Sequence, residues 1–223
     1  MKRKTLYVSI FVGAIVVILS FIGFSRNEGT SSITLTDSGS YAVQPHIGKT
    51  LTFAGEDVPV QLSDVKESLD RELLVNVYWH SQTMLFLKRA NRYFPIIEPI
   101  LKEYGIPDDF KYLPVVESGL INTGSPMGAK GVWQIVENTG KELGLEINDD
   151  VDERNNIEKS TIAACKFLNK AYAKFNSWTM AAASYNMGIN GLSNQVENQE
   201  ANNFYDLWLN TETARYVFRI IAV

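Results

Sequence analysis

Apolar side chains recur every three or four residues through much of the second half of the chain. The clearest case is IEKSTIAACKFLNKAYAKF, in which Ile157, Ala164, Leu168, Ala171 and Phe175 fall along one stripe of a helix. Leu69, Leu73, Val77, Met84 and Leu87 form a similar stripe and predict a long helix starting at Ser63 or Asp64. His80 lies on that stripe, which reads as a packed helix residue rather than a ligand. Pro95 opens the next predicted helix, PIIEPILKEYG, which Gly105 closes. Asp108 caps a third, running to Glu117 with a bend at Pro114. GVWQIVENTGKELGL predicts a fourth, Ser177 caps WTMAAASYNMG, and Asn210 or Thr211 starts ETARYVFRIIAV. The sequence stops inside that last helix without a cap, and the expectation is a shortened form of a longer protein. No alternating strand pattern of any length follows residue 63, so the expected fold is mainly α with any sheet small.

The N-terminal pattern is of another kind. Residues 5–24, TLYVSIFVGAIVVILSFIGF, carry no charge over twenty positions, long enough for a helix to cross a bilayer. Lys2, Arg3 and Lys4 precede them, which by the positive-inside rule leaves the N-terminus in the cytoplasm and the remainder outside. A cleaved signal peptide is the competing reading, but no small-x-small cleavage site follows Phe24 and no cysteine follows for lipid attachment. Residues 27–62 are rich in Ser, Thr and Gly, with short extended pieces around Thr50–Phe53, and read as a linker. The expected organisation is an anchor over 1–26, a linker over 27–62 and a folded domain over 63–223. It places the protein as a single-pass inner-membrane protein with its domain in the periplasm.

Charge and metal-binding inventory narrow the function. Residues 1–26 hold four of the 21 basic residues and none of the 25 acidic ones, which leaves a net charge of −8 beyond them. Nucleic acid is therefore not an expected partner. The one cysteine, Cys165, sits among apolar helical neighbours and reads as a small core residue. With it and two histidines, His46 and His80, no zinc-ligand spacing can be written. NDDVDERNN has no frame with glycine sixth and glutamate twelfth, so it reads as a solvated turn and helix start rather than a calcium loop. No metal and no cofactor is expected. Ser118 as a nucleophile would need a histidine base, and neither histidine lies in a matching motif.

The stretch KYLPVVESGLINTGSPMGAKGVWQI places Glu117 at the end of an apolar run, before a loop of small residues. Leu113, Val115 and Val116 behind it, and the negative end of a helix stopping at Ser118–Gly119, both disfavour its charge. Such a carboxyl keeps its proton to higher pH, as a general acid near neutrality must. From this stretch alone, a solvated glutamate at a helix end is the favoured reading, because most acidic residues lie at the surface.

Four segments together decide between these readings: ESG at 117–119, GVWQI at 131–135, ASYNMG at 183–188 and ETARYV at 212–217. Their order and spacing resemble the four motifs of the family 1 lytic transglycosylases, nearest to the membrane-bound lytic murein transglycosylase D group and its Bacteroidetes-type members. The likeness covers roughly residues 52–223 and implies a lysozyme-like domain of the α+β superfamily. By the same resemblance, Glu117 is the single catalytic acid and base, and Ser118 helps orient it and contacts the sugar. Gln134 lines the cleft floor, with Val132 and Trp133 replacing the usual Leu and Met; Trp133 reads equally as core. Tyr185 and Asn186 match the third motif, in which the asparagine faces the N-acetyl group, although Ser184 and Met187 depart from its alanines. Tyr216 matches the tyrosine that reaches toward the acid.

The resemblance implies cleavage of the MurNAc–GlcNAc bond of peptidoglycan strands. Glu117 protonates the bridging oxygen, the MurNAc acetamide supports the anomeric carbon, and Glu117 then deprotonates the C6 hydroxyl that closes a 1,6-anhydro ring. One glutamate among Gln, Asn and Tyr suits a scheme in which the substrate's own acetamide replaces the second carboxylate. The competing readings are a lysozyme-type hydrolase, in which Glu137, Glu142 or another carboxylate holds a water, and a non-catalytic peptidoglycan-binding protein.

Overall fold

The computed structural model describes residues 45–223. The predicted membrane anchor lies outside the described residues; within them, no helix is long and apolar enough to cross a membrane.

Among the described residues the fold is mostly helical. A two-stranded antiparallel hairpin, β1 (Thr52–Phe53) and β2 (Glu56–Asp57), comes first. The helices α1 (Ser63–Tyr78) and α2 (His80–Glu103) follow. A 3-10 turn at Asp108–Tyr112 leads into α3 (Leu113–Ser118), and a long loop leads to α4 (Glu137–Glu142). Another 3-10 turn, Glu153–Asn155, precedes α5 (Ile157–Phe175), α6 (Trp178–Met187) and α7 (Ile189–Gln199). A last 3-10 turn at Phe204–Asp206 leads into α8 (Thr211–Ala222).

The amphipathic helix expected over 157–175 is α5. Its apolar stripe packs on α2 and α6, with Ala164, Leu168 and Cys165 fully buried. Burial pushes the Cys165 thiol up to about 12, as befits a core residue. Helix α8 lies between α1 and α6 and also contacts the short α3.

Three expectations need correction. The stripe from Leu69 to Leu87 does not belong to one helix, because Trp79, at φ −95° and ψ 55°, separates α1 from α2. The break resets the helical phase: Leu69 is buried, whereas His80, Met84 and Leu87 are exposed. Pro95 does not open a helix either; α2 begins at His80 and carries Pro95 and Pro99 inside it. Lastly, residues 131–136 are not helical. Gly131–Gln134 form turns, and the helix is only the six residues of α4.

The hairpin belongs to the same core. Phe53, Val58 and Val60 are buried within it, and Phe53 packs on Phe110 at 5.6 Å between ring centres. Glu56 reaches the N-terminus of α6, where its carboxylate accepts hydrogen bonds from Ser177 Oγ, from Thr179 N and Oγ1, and from Trp178 N. A carboxylate there meets unpaired amides and the positive end of the helix dipole.

Candidate active site

Helix α3 ends where the sequence predicts. Gly119 takes the left-handed conformation at φ 62° and its N–H bonds to Val115 O. A side chain on Gly119 would put its Cβ 3.0 Å from the Phe86 ring, so glycine meets both the backbone and the space requirement. Arginines hold two carbonyls at this helix end: Arg219 donates to Val116 O at 3.2 Å and Arg89 to Gly119 O at 2.9 Å.

Glu117 therefore projects from a fixed helix end into packed surroundings. Burial pushes its carboxyl up from an ordinary 4.5 to about 7. The Tyr216 hydroxyl and the Arg219 charge pull it back, and the Glu212 charge adds to the rise. Tyr216, fully packed in α8, donates its hydroxyl to Glu117 Oε1. With Oε1 taken, the acid's own proton belongs on Oε2. Burial and the nearby Glu117 hold the Tyr216 hydroxyl well above its usual range, so it stays a donor.

The loop between α3 and α4 brings up Gln134. Ser118 Oγ ties the loop to the acid's helix, lying 2.8 Å from Val132 O and 3.2 Å from Pro114 O. Trp133 is core: it is fully buried, and its indole N–H donates to Thr161 Oγ1 at 2.8 Å. Gln134 has φ 49°, a left-handed conformation that disfavours a side chain by about 1–2 kcal/mol. Its own amide secures the turn, with Nε2 donating to Gly131 O at 2.7 Å and Thr123 O at 3.0 Å.

Beneath the loop lies a pair the sequence reading treats as solvated. Arg154 is only 3% exposed. Its guanidinium bonds Asp152 Oδ1 at 2.8 Å and Oδ2 at 2.7 Å and donates to Gly128 O at 2.9 Å. That contact holds the Asp152 carboxyl well below the usual carboxylate range. NDDVDERNN is thus solvated at Asp149 and Asp150 but structural at Asp152 and Arg154. Among the described residues no group of three or more His, Cys, Asp or Glu is arranged to hold a metal ion.

Helix α6 supplies the remaining predicted residues. Tyr185 donates to Trp133 O at 2.8 Å. Asn186 is held at both ends of its amide: Thr213 Oγ1 donates to Oδ1 at 2.8 Å, and Nδ2 donates to Glu212 Oε1 at 3.3 Å. Gln134, Tyr185 and Asn186 line one cavity of about 230 Å³ with Ile135, Phe167 and Met187. A second groove, of about 480 Å³, includes Val116, Glu212, Arg215 and Arg219. The Asn186–Glu212 contact bridges the two linings; Glu117 itself lines neither, but it adjoins Val116 of the groove, feels the charges of Glu212 and Arg219 there, and acts on Tyr185 of the cavity.

The structure thus gathers five of the six predicted residues, Glu117, Gln134, Tyr185, Asn186 and Tyr216, around this junction. Ser118 serves there through the backbone. Sequence reasoning assigned no part to Glu212 and Arg219. Their spacing from Tyr216, four before and three after, places all three on one face of α8, a signal present in the sequence.

The profile described as Transglycosylase SLT domain matches residues 94–208, slightly over half of the chain and inclusive of Glu117, Gln134 and Asn186. The chain belongs to the transglycosylase SLT domain family. Among relatives of this SLT domain, Membrane-bound lytic murein transglycosylase D of Escherichia coli (strain K12) is 27% identical over 203 residues, covering 87% of this chain and 44% of that protein. Membrane-bound lytic murein transglycosylase F of Salmonella typhi is 27% identical over 118 residues, 48% of this chain and 23% of that protein. A "Putative tributyltin chloride resistance protein" of Alteromonas sp. (strain M-1) is 25% identical over 127 residues, 56% of this chain and 61% of that protein. The SLT chain described here spans less than half the length of the transglycosylase D it matches. The profile ends before Tyr216, so the part of α8 in the site rests on the geometry above.

Proposed function

We propose that this SLT domain is a peptidoglycan lytic transglycosylase on a lysozyme-like fold, cleaving the MurNAc–GlcNAc bond and leaving 1,6-anhydroMurNAc ends in cell-wall turnover or remodelling. The observation that carries the reading is one carboxyl, Glu117, raised to about 7 by burial, oriented by Tyr216 and flanked by residues of two cavities. Titrating near neutrality, it donates in its protonated form from Oε2 to the glycosidic oxygen and then, as the carboxylate, accepts the proton of the C6 hydroxyl. Tyr216 remains on Oε1 throughout and steadies the charge that forms between the two steps. Asn186, its amide fixed by Thr213 and Glu212, and Tyr185 and Gln134 beside it, form the wall that receives the acetamide. The printed names of the relatives, lytic murein transglycosylases D and F, support the same substrate, and "membrane-bound" supports membrane association; the anchor at residues 5–24 with the domain in the periplasm rests on the uncharged run and the basic residues before it.

One observation keeps hydrolysis as a second reading. Glu137 is paired with Lys141 at 2.6 Å and held below its usual range, which leaves it poorly suited to activate water. Glu212, by contrast, is a second carboxylate close enough to act on the charge of Glu117. The product separates the two chemistries. Mass spectrometry of muropeptides released from sacculi by the purified full chain in detergent should show anhydro ends, absent with Glu117→Gln. Free reducing ends would establish the hydrolase instead, and strands bound equally by both proteins without cleavage would establish a binding protein.

A further inference from the structure

One exposed indole has no part in the site above. Trp208, between α7 and α8, is 88% exposed. Its backbone is nevertheless held at both polar groups by a single side chain: Gln199 Oε1 accepts from Trp208 N at 2.7 Å, and Gln199 Nε2 donates to Trp208 O at 2.9 Å. Gln199 is itself steadied by Gln195 Oε1 at 2.9 Å. The backbone under the ring is thus ordered before any ligand arrives, which lowers the entropy lost on binding.

Beside this indole is a cavity of about 360 Å³ lined by Asp64, Ser68 and Arg71 from α1 and by Thr211 and Arg215 from α8. Arg71 is exposed and makes no ion pair among the described residues. Thr211 and Arg215 also line the 480 Å³ groove that contains Glu212, so the two cavities are neighbours around the start of α8. A flat apolar ring next to carboxylate, hydroxyl and guanidinium groups matches a pyranose, which offers C–H bonds on its face and hydroxyl and amide groups at its edge.

We propose that Trp208, with Asp64, Ser68 and Arg71, forms an accessory site for an N-acetylated glycan strand, beside the groove of Glu212 and sharing Thr211 and Arg215 with it. The site takes an incoming sugar on the Trp208 ring while Arg71 and Asp64 bond its polar edge. It holds the strand between cleavage events, so its contribution falls on retention rather than on bond breaking. The choice of ligand rests on the peptidoglycan reading above.

The test is co-sedimentation of the full chain, in detergent micelles, with purified peptidoglycan sacculi, in a Glu117→Gln background so that the sacculi stay intact. Trp208→Ala should weaken the apparent Kd by about 3- to 10-fold, the range of one aromatic contact. Trp208→Tyr, which keeps a flat ring, should recover most of the loss, and Arg71→Ala should weaken binding independently. Wild-type affinity in Trp208→Ala overturns the proposal. So does a Trp208→Ala protein whose only change, by analytical ultracentrifugation, is loss of self-association, since the face is then an interface between copies. Products of the Glu117 form are scored separately. Trp208-dependent binding without cleavage sinks the proposed activity while supporting this site.

Discussion

A carboxyl titrating near pH 7 in the folded chain and near 4.5 in the unfolded chain holds an extra proton on the folded side between those values. Folding stability therefore falls as pH rises from about 4.5 through about 7, and levels above that. Glu117→Gln keeps the size of the side chain and the acceptor for Tyr216 but does not titrate. It should match wild type below pH 4 and gain on the order of 1–3 kcal/mol by pH 8, allowing for solvent screening of a partly exposed group. Chemical denaturation of both proteins across that range checks this, and a pH-independent difference would refute the burial of the charge. Activity should fall on the alkaline side around pH 7 as the acid loses its proton. Because the Glu212 charge adds to the rise, Glu212→Gln should move that alkaline limb to lower pH, read from kcat/KM profiles; a shift to higher pH would contradict the assignment. The end of the Glu117 helix is legible because Gly119 marks it, but the choice of Glu117 as the acid rests on four motifs read together. Glu212 and Arg219 went unassigned because their effect depends on α8 reaching α3, which no local pattern specifies.

At the scale of elements, the α3–α4 loop is where sequence and structure part most. Val132, Trp133 and Ile135 are all buried, and their close spacing reads as helix. They are instead buried one at a time from turns, held by Arg154 under the loop and by the Gln134 amide within it. Such side-chain bonds to backbone replace the helical ladder and leave no periodic trace. Gly131 is the tightest point, at φ 79°; a Cβ at this position would fall 1.9 Å from Arg154 O, a backbone atom, so no rotamer change can relieve the clash. Gly131→Ala should cost more than about 3 kcal/mol and remove activity through displaced Gln134 and Ser118. Thermal unfolding with an assay on sacculi checks it; an unshifted Tm would mean the loop yields easily.

For the molecule as a whole, the core begins before the first predicted helix. Phe53 and Glu56 stand in a stretch whose Ser, Thr and Gly content reads as linker, yet they close the core against Phe110 and the start of α6. Their partners lie more than fifty residues away, out of reach of any local window. Phe53→Ala and Glu56→Ala should each destabilise by about 2–4 kcal/mol in denaturant titration, the first by a cavity and the second by unpaired amides at α6. Values under 0.5 kcal/mol would detach the hairpin from the core.

The contact between Tyr216 and Glu117 joins positions 99 residues apart, and Glu212 and Arg219 reach the same carboxyl from the same late helix. During synthesis, at about 5–20 residues per second, Arg219 emerges roughly 5–20 s after Glu117. Until then the carboxyl has neither its hydroxyl donor nor its packed surroundings, and behaves as an ordinary acid, ionised at neutral pH. On the proposed mechanism, a nascent chain therefore lacks a protonated acid at neutral pH until α8 has docked.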